Sequence, residues 1–265
     1  MLSLFLTQTA VGCLLALLPI PPREAGRHFF RFAVALSGVL MLAGLSLPPP
    51  APRGPSRSFL FAAAALLLIA AAGFFHLGRS AAGRLLMAVG LAFGMGGLIV
   101  DASRLAPSPP GLLHLLDALS SGLLTGSVLV AMVLGHYYLN VPGLSIRHLI
   151  RLTLIFLGAV TSRAVIVGAS IVLHRDTLGP LASLLLDAGA GPLPESGPDP
   201  FLVVFLLLHV LFGILAAGIF ALMAWRTARI ASTQSATGIL YVALIAVVIG
   251  EMASRYIVSL TRLPL

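Results

Sequence analysis

The sequence predicts an all-α integral membrane protein of eight transmembrane helices, built as two four-helix repeats of the same orientation. Three observations carry this. Hydrophobic residues make up 59% of the chain and charged residues only 9%, where a soluble domain carries about 25% charged residues. The apolar residues fall in runs of roughly 20, the length that crosses a hydrocarbon core of about 30 Å. Finally, RHFFRF at 27–32 and RHLIRL at 147–152 stand in matching surroundings. Each has a proline five residues before its first Arg (Pro22, Pro142) and a glycine seven after its second (Gly38, Gly158).

The spans are expected at about 2–20, 29–47, 59–77, 85–102, 115–139, 149–173, 201–224 and 239–260. The first has no basic n-region and ends in Pro19-Ile20-Pro21-Pro22, which reads as a membrane span and not a cleaved signal peptide. The second opens on the Arg27 hexamer and stops at the Pro48-Pro49-Pro50 cluster; the third stops at Gly78. The fourth carries the GxxxG pair Gly90 and Gly94 and the fifth the pair Gly122 and Gly126, spacings that let helix backbones approach. A flexible or broken stretch at Gly94-Met95-Gly96-Gly97 is the less favoured reading of span four. Pro142-Gly143 separates the fifth span from the sixth. The long connection 174–200 holds Asp176, Asp187, Glu195 and Asp199, with Leu178–Leu186 as a short interfacial helix. Residues 1–104 form the first repeat, 105–114 a linker and 115–265 the second repeat.

Further matches in chain order support the duplication. A shift of 145 aligns Ala71-Ala72-Gly73-Phe74-Phe75 with Ala216-Ala217-Gly218-Ile219-Phe220. A shift of 151 aligns Ala102-Ser103-Arg104 with Ala253-Ser254-Arg255, and an acid precedes each, Asp101 and Glu251. The shifts grow monotonically from the 120 that relates the two hexamers, and the growth falls in loops.

The net charge of +8 comes from 16 Arg and no Lys. These arginines sit at the ends of apolar runs, the placement of topology signals and headgroup contacts. That placement excludes a nucleic-acid role. Nine loop arginines (23, 27, 31, 79, 84, 147, 151, 226, 229) face five (53, 57, 104, 175, 262) on the other side. The first set is therefore expected to be cytoplasmic, in the inner, plasma membrane of a bacterium, with both termini outward. The single Cys13 excludes a disulfide within this chain.

Ionisable groups inside spans are costly and face the bundle interior. On span five His114, Asp117, Ser121, Thr125, Met132 and His136 share an arc of about 100°. On span six Arg163, Ser170 and His174 fall within about 40°. Glu251 and Arg255 are i,i+4 neighbours on span eight, and span seven adds His209. Arg163 and Glu251 lie near mid-span and are expected to meet, with His209 and Arg255 slightly outward and Asp117 further out. In the first half Asp101 and Arg104 make the expected counterpart pair. Either this cluster is a structural ion-pair network, or it is a proton, ion or ligand site reached from the outer side.

Haem is disfavoured, because His114 and His136 lie 22 residues apart on one helix, about 33 Å. There is no haem-attachment, metalloprotease, phosphate-loop or dinucleotide motif, and no metal site is expected. At the cytoplasmic interface Arg27, His28, Arg31, Arg147, His148 and Arg151 read as topology and headgroup contacts. A docking surface or an anionic or quinone headgroup site is the alternative. His136-Tyr137-Tyr138 reads first as an interfacial anchor.

Two functional classes follow. The first is a non-haem membrane subunit of an electron-transfer or energy-coupling assembly, with a quinone or proton site in the second repeat and membrane or cytoplasmic subunits as partners. In span count and bundle pairing alone it is similar to the eight-span anchor subunits of polysulfide-reductase-type complexes; no motif matches, so no residue role is carried over. The second is a small secondary transporter or proton-coupled carrier, for which discontinuous helices at equivalent places in both halves would argue. Apart from Pro19 at the very end of the first, no span holds a proline, which weighs for the first class. A scaffold or assembly factor without a ligand is a third reading.

Overall fold

In a computed structural model the described residues are 1–48, 55–105, 111–141, 144–174 and 200–265. Among them there are helices and no strands. In chain order these are α1 (Leu2–Leu17), α2 (Pro22–Ala25), α3 (Arg27–Ser46), α4 (Pro55–His76), α5 (Ser80–Leu105), α6 (Gly111–Asn140) and α7 (Arg147–Leu173). They are followed by α8 (Pro200–Leu208), a π-helical segment (His209–Ala216), α9 (Ala217–Arg229) and α10 (Thr233–Thr261). The Leu178–Leu186 helix and the acidic loop lie outside the described residues.

Seven of these helices, counting Pro200–Arg229 as one, are long and apolar enough to cross a membrane. Their outward faces carry Phe59, Leu66, Leu85, Val165, Phe201 and Ile245, each more than half exposed. Water would not tolerate so much apolar surface on a monomer, whereas hydrocarbon would. Together these features suggest a multi-pass membrane protein. The first apolar run forms a shorter helix of 16 residues, about 24 Å long. Pro19, Pro21 and Pro22 lack the amide hydrogens that a continuing helix needs.

Short as it is, α1 lies at the centre, and 13 of its 16 residues are buried. It packs on α6, the most enclosed of the long helices, 72% buried over its most apolar stretch against 22% for Pro200–Arg229. Close approach explains this seam. A Cβ on Gly12 would lie 1.7 Å from the Gly122 carbonyl oxygen, and one on Gly126 would lie 2.2 Å from the Cys13 nitrogen. Gly122 meets Gln8 and Gly126 meets Gly12, so the two helices run parallel. Thr9 and Thr125 join hydroxyls across the seam at 3.0 Å.

Around this seam α1 packs on α3, α3 on α4 and α4 on α5; α6 packs on α7, α7 on α9 and α9 on α10. The Gly94–Gly97 stretch does not break its helix, since α5 is continuous α-helix. The break falls instead in the seventh apolar run, where the π-helical segment begins at His209. There Gly213 presses on Gly250 of α10: a Cβ on Gly250 would lie 2.3 Å from the Gly213 Cα.

Candidate functional site

Four helices supply a polar network in the second half. Arg163, on the buried face of α7, is fully enclosed. Its guanidinium distributes hydrogen bonds from all three nitrogens. Nε donates to Glu251 Oε1 at 2.9 Å, and Nη1 to Asp117 Oδ1 and, at 3.4 Å, to Ser120 Oγ. Nη2 donates to Ser254 Oγ at 2.8 Å and to the main-chain oxygen of Leu265 at 3.0 Å. The planar fork of Arg suits such convergence; a Lys ammonium would not span it.

Asp117 holds a second cation as well. Arg255 Nη1 lies 2.8 Å from Asp117 Oδ2, and Nη2 donates to Oδ1 at 3.0 Å. Glu251 keeps its other oxygen for the Ser121 hydroxyl. Two guanidinium groups and two side-chain carboxylates thus face one another, and these side chains are at most 3% exposed. Burial is tolerable because each charge is paired and further hydrogen-bonded. Asp117 therefore lies within the network, in direct contact with Arg163.

His209 stands beside this network at the start of the π-helical segment. Its Nδ1 lies 3.0 Å from the Gly250 carbonyl oxygen, to which it donates as the N–H tautomer, and 3.8 Å from Glu251 Oε1. Its Nε2 is buried and has no hydrogen-bond partner among the described residues. Of the other residues on these faces, His114 Nε2 lies 2.9 Å from the Arg262 carbonyl oxygen. Ser170 is buried with its hydroxyl unpartnered among the described residues. His174, half-buried, turns back to the Ser170 carbonyl oxygen at 3.0 Å.

In the first half Asp101 has a partner that the sequence alone leaves in a loop. Asp101 bonds to Arg57, whose Nε donates to Oδ1 at 2.6 Å; Arg104 lies half-buried at the end of the same helix as Asp101. The reason is where α4 begins. Pro55 starts it, a residue suited to the first helical turn, so Arg57 is carried into the bundle and not left in a loop. There it is 2% exposed, lies over the Phe61 ring at 5.1 Å, and donates to Ser3 Oγ.

The two matched hexamers also differ. In the first, Arg31 reaches His76 at 2.7 Å and Arg27 approaches Gly78, both at the α4–α5 turn, while His28 is exposed. In the second, His148 is buried 3.3 Å from Glu24 of α2, with Arg147 and Arg151 exposed. His136 is exposed near the end of α6, with Tyr241 Oη 3.4 Å from its Nδ1. Among the described residues no three His, Cys, Asp or Glu side chains gather as a metal site.

Fold and site thus define an all-helical chain of membrane-protein character with an enclosed, paired charge network in its second half. Comparison with protein families, with curated proteins and with solved structures finds no match to this chain.

Proposed function

We propose that this protein is a membrane-embedded subunit of an energy-coupling assembly, and that the Asp117–Arg163–Glu251–Arg255 network with His209 is its proton-handling element. The observation that carries this reading is His209. An ion-pair lock needs only its charges, and here they are already matched. A titratable ring whose Nδ1 lies near Glu251 and whose buried Nε2 has no partner among the described residues adds a cost of about 1–3 kcal/mol with no packing return that an apolar side chain would not give. It also sits where the helix widens into a π turn, a distortion that recurs at functional sites. His209 Nδ1 donates to the Gly250 carbonyl and lies 3.8 Å from Glu251 Oε1, so a small movement of the π turn would let it exchange the carbonyl for the carboxylate.

The architecture we infer is eight crossing helices in two repeats of the same orientation. It is supported by the equal packing order in the two halves and by the parallel contact of their first helices, α1 and α6. The π turn also gives some support to a carrier. Yet its counterpart helix, α4, is unbroken, and alternating-access sites are built from breaks in both halves. A scaffold without a ligand would leave the unpartnered imidazole without a role.

The test is purification from native membranes in mild detergent, followed by turnover and proton-uptake assays on whatever assembly is recovered. His209→Asn keeps a donor for the Gly250 carbonyl and removes the titratable ring. Loss of proton uptake at an unchanged melting temperature is the expected result. Normal uptake in His209→Asn and Glu251→Gln, with only lowered melting temperatures, would reduce the network to a structural lock.

A further inference from the structure

At the opposite end of α6 from Asp117, a groove of about 410 Å³ opens between α3, α6 and α10. It lies at the first hexamer, and it brings together two features that looked unrelated in the sequence, His28 and the His136-Tyr137 pair. We propose that it binds the headgroup of a membrane-soluble quinone. This does not rest on the reading of the polar network, which lies elsewhere in the bundle.

The chemistry of the lining selects the ligand. Hydrogen-bonding groups collect toward the helix ends: His28 in the first turn of α3, His136 and Asn140 in the last of α6, and the Tyr241 hydroxyl between them. About a turn deeper the walls are apolar, with Phe32, Met132 and Val133. Such a gradient fits an amphiphile whose polar head lies near the interface and whose tail runs inward. Phe32 is 56% exposed, so the deep end opens sideways, where a tail could leave into hydrocarbon.

The head is expected to be uncharged. No arginine lines the groove, although two stand in the same helical turn. Arg31 is turned to His76 and Arg27 to Gly78, so both cations of the motif point at the α4–α5 turn. A phospholipid phosphate would be met by such cations; this groove offers imidazole, phenol and amide groups. Those donate to carbonyl oxygens, and the aromatic wall, where Phe29 and Tyr137 pack against each other with ring centroids 6.2 Å apart, offers a face to a flat ring. Two carbonyls on a planar ring with an apolar tail describe a quinone. His28 makes no hydrogen bond or ion pair among the described residues, so it is available to such a ligand. The matching His148 is buried beside Glu24, and only one of the two hexamers presents its imidazole this way.

The test is binding of a short-chain benzoquinone and a short-chain naphthoquinone to the purified protein in nanodiscs of neutral lipid. Saturable one-to-one binding is expected, weakened about tenfold or more in His28→Phe with His136→Leu, a loss of two hydrogen bonds. Both histidines are exposed, so the melting temperature should hold. Should that pair misfold, Tyr241→Phe removes only a hydroxyl and should still weaken binding several-fold. Undiminished quinone binding in these variants would overturn the proposal. So would displacement of bound quinone by anionic phospholipid at equal membrane fraction, which would make the groove a lipid headgroup site.

Discussion

Both halves of the molecule bury an arginine against an acid, and they do so differently. In the first half Arg57 and Asp101 form one pair near a helix end, and Asp101 retains some exposure. In the second, Arg163 is fully enclosed and shares Asp117 with Arg255 while holding Glu251. Sharing is the difference that matters. A lone pair can be dismantled as a unit, whereas removal of any member of a shared network strands a charge on its neighbours. The first half therefore uses its ion pair as a clasp between α4 and α5. The second distributes charge over α6, α7 and α10 and leaves a titratable imidazole beside it.

The sharpest way to break this comparison is to remove one arginine from each half. Arg163→Ala leaves both Glu251 and Asp117 short of a cation and should cost about 3–5 kcal/mol, read as thermal unfolding in detergent. Arg57→Ala should cost about half as much, because Asp101 lies near a helix end with some exposure. Equal losses would remove the distinction between clasp and network.

Next in size is the seam that holds the halves together. Gly122→Val drives a side chain into the Gln8 carbonyl and should cost about 1–3 kcal/mol or more by overpacking. Gly158→Val, at a glycine with open space around it, should change the melting temperature little. Replacing charge pairs by apolar residues comes third. Arg57→Met with Asp101→Leu should be close to neutral, within about 1 kcal/mol, as for other buried pairs replaced whole. Arg255→Met with Asp117→Leu should not be, because it deprives Arg163 of a partner. The smallest stability effect is expected for His209→Asn, under about 1 kcal/mol, since its one hydrogen bond is retained; a larger loss would mark His209 as a structural residue.

How much of this was legible in the sequence varies residue by residue. Helical periodicity alone put Asp117 and Ser121 on one face of α6 and joined Glu251 to Arg255 on α10. It could not say which faces meet, nor that Asp117 touches Arg163 directly. Arg57 was missed because it followed a proline-rich segment and read as a loop cation. Pro55, two residues earlier, was the available signal, since a proline so placed opens helices as readily as it ends them. The π turn at His209 has no mark in the chain, because the run Phe201–Trp225 is evenly apolar apart from the histidine itself.

Composition and run length by themselves determined that this is a chain of apolar helices suited to a membrane, because solvation in hydrocarbon is a sum over residues and needs no knowledge of neighbours. Glycine spacing likewise named Gly122 and Gly126 as a contact face. Only the tertiary structure decided what lies opposite: α1 against those glycines, Arg57 against Asp101, His148 folded away while His28 faces a groove. Pairing is a property of two surfaces at once, and repeated local sequence such as the RH hexamers fixes one surface only.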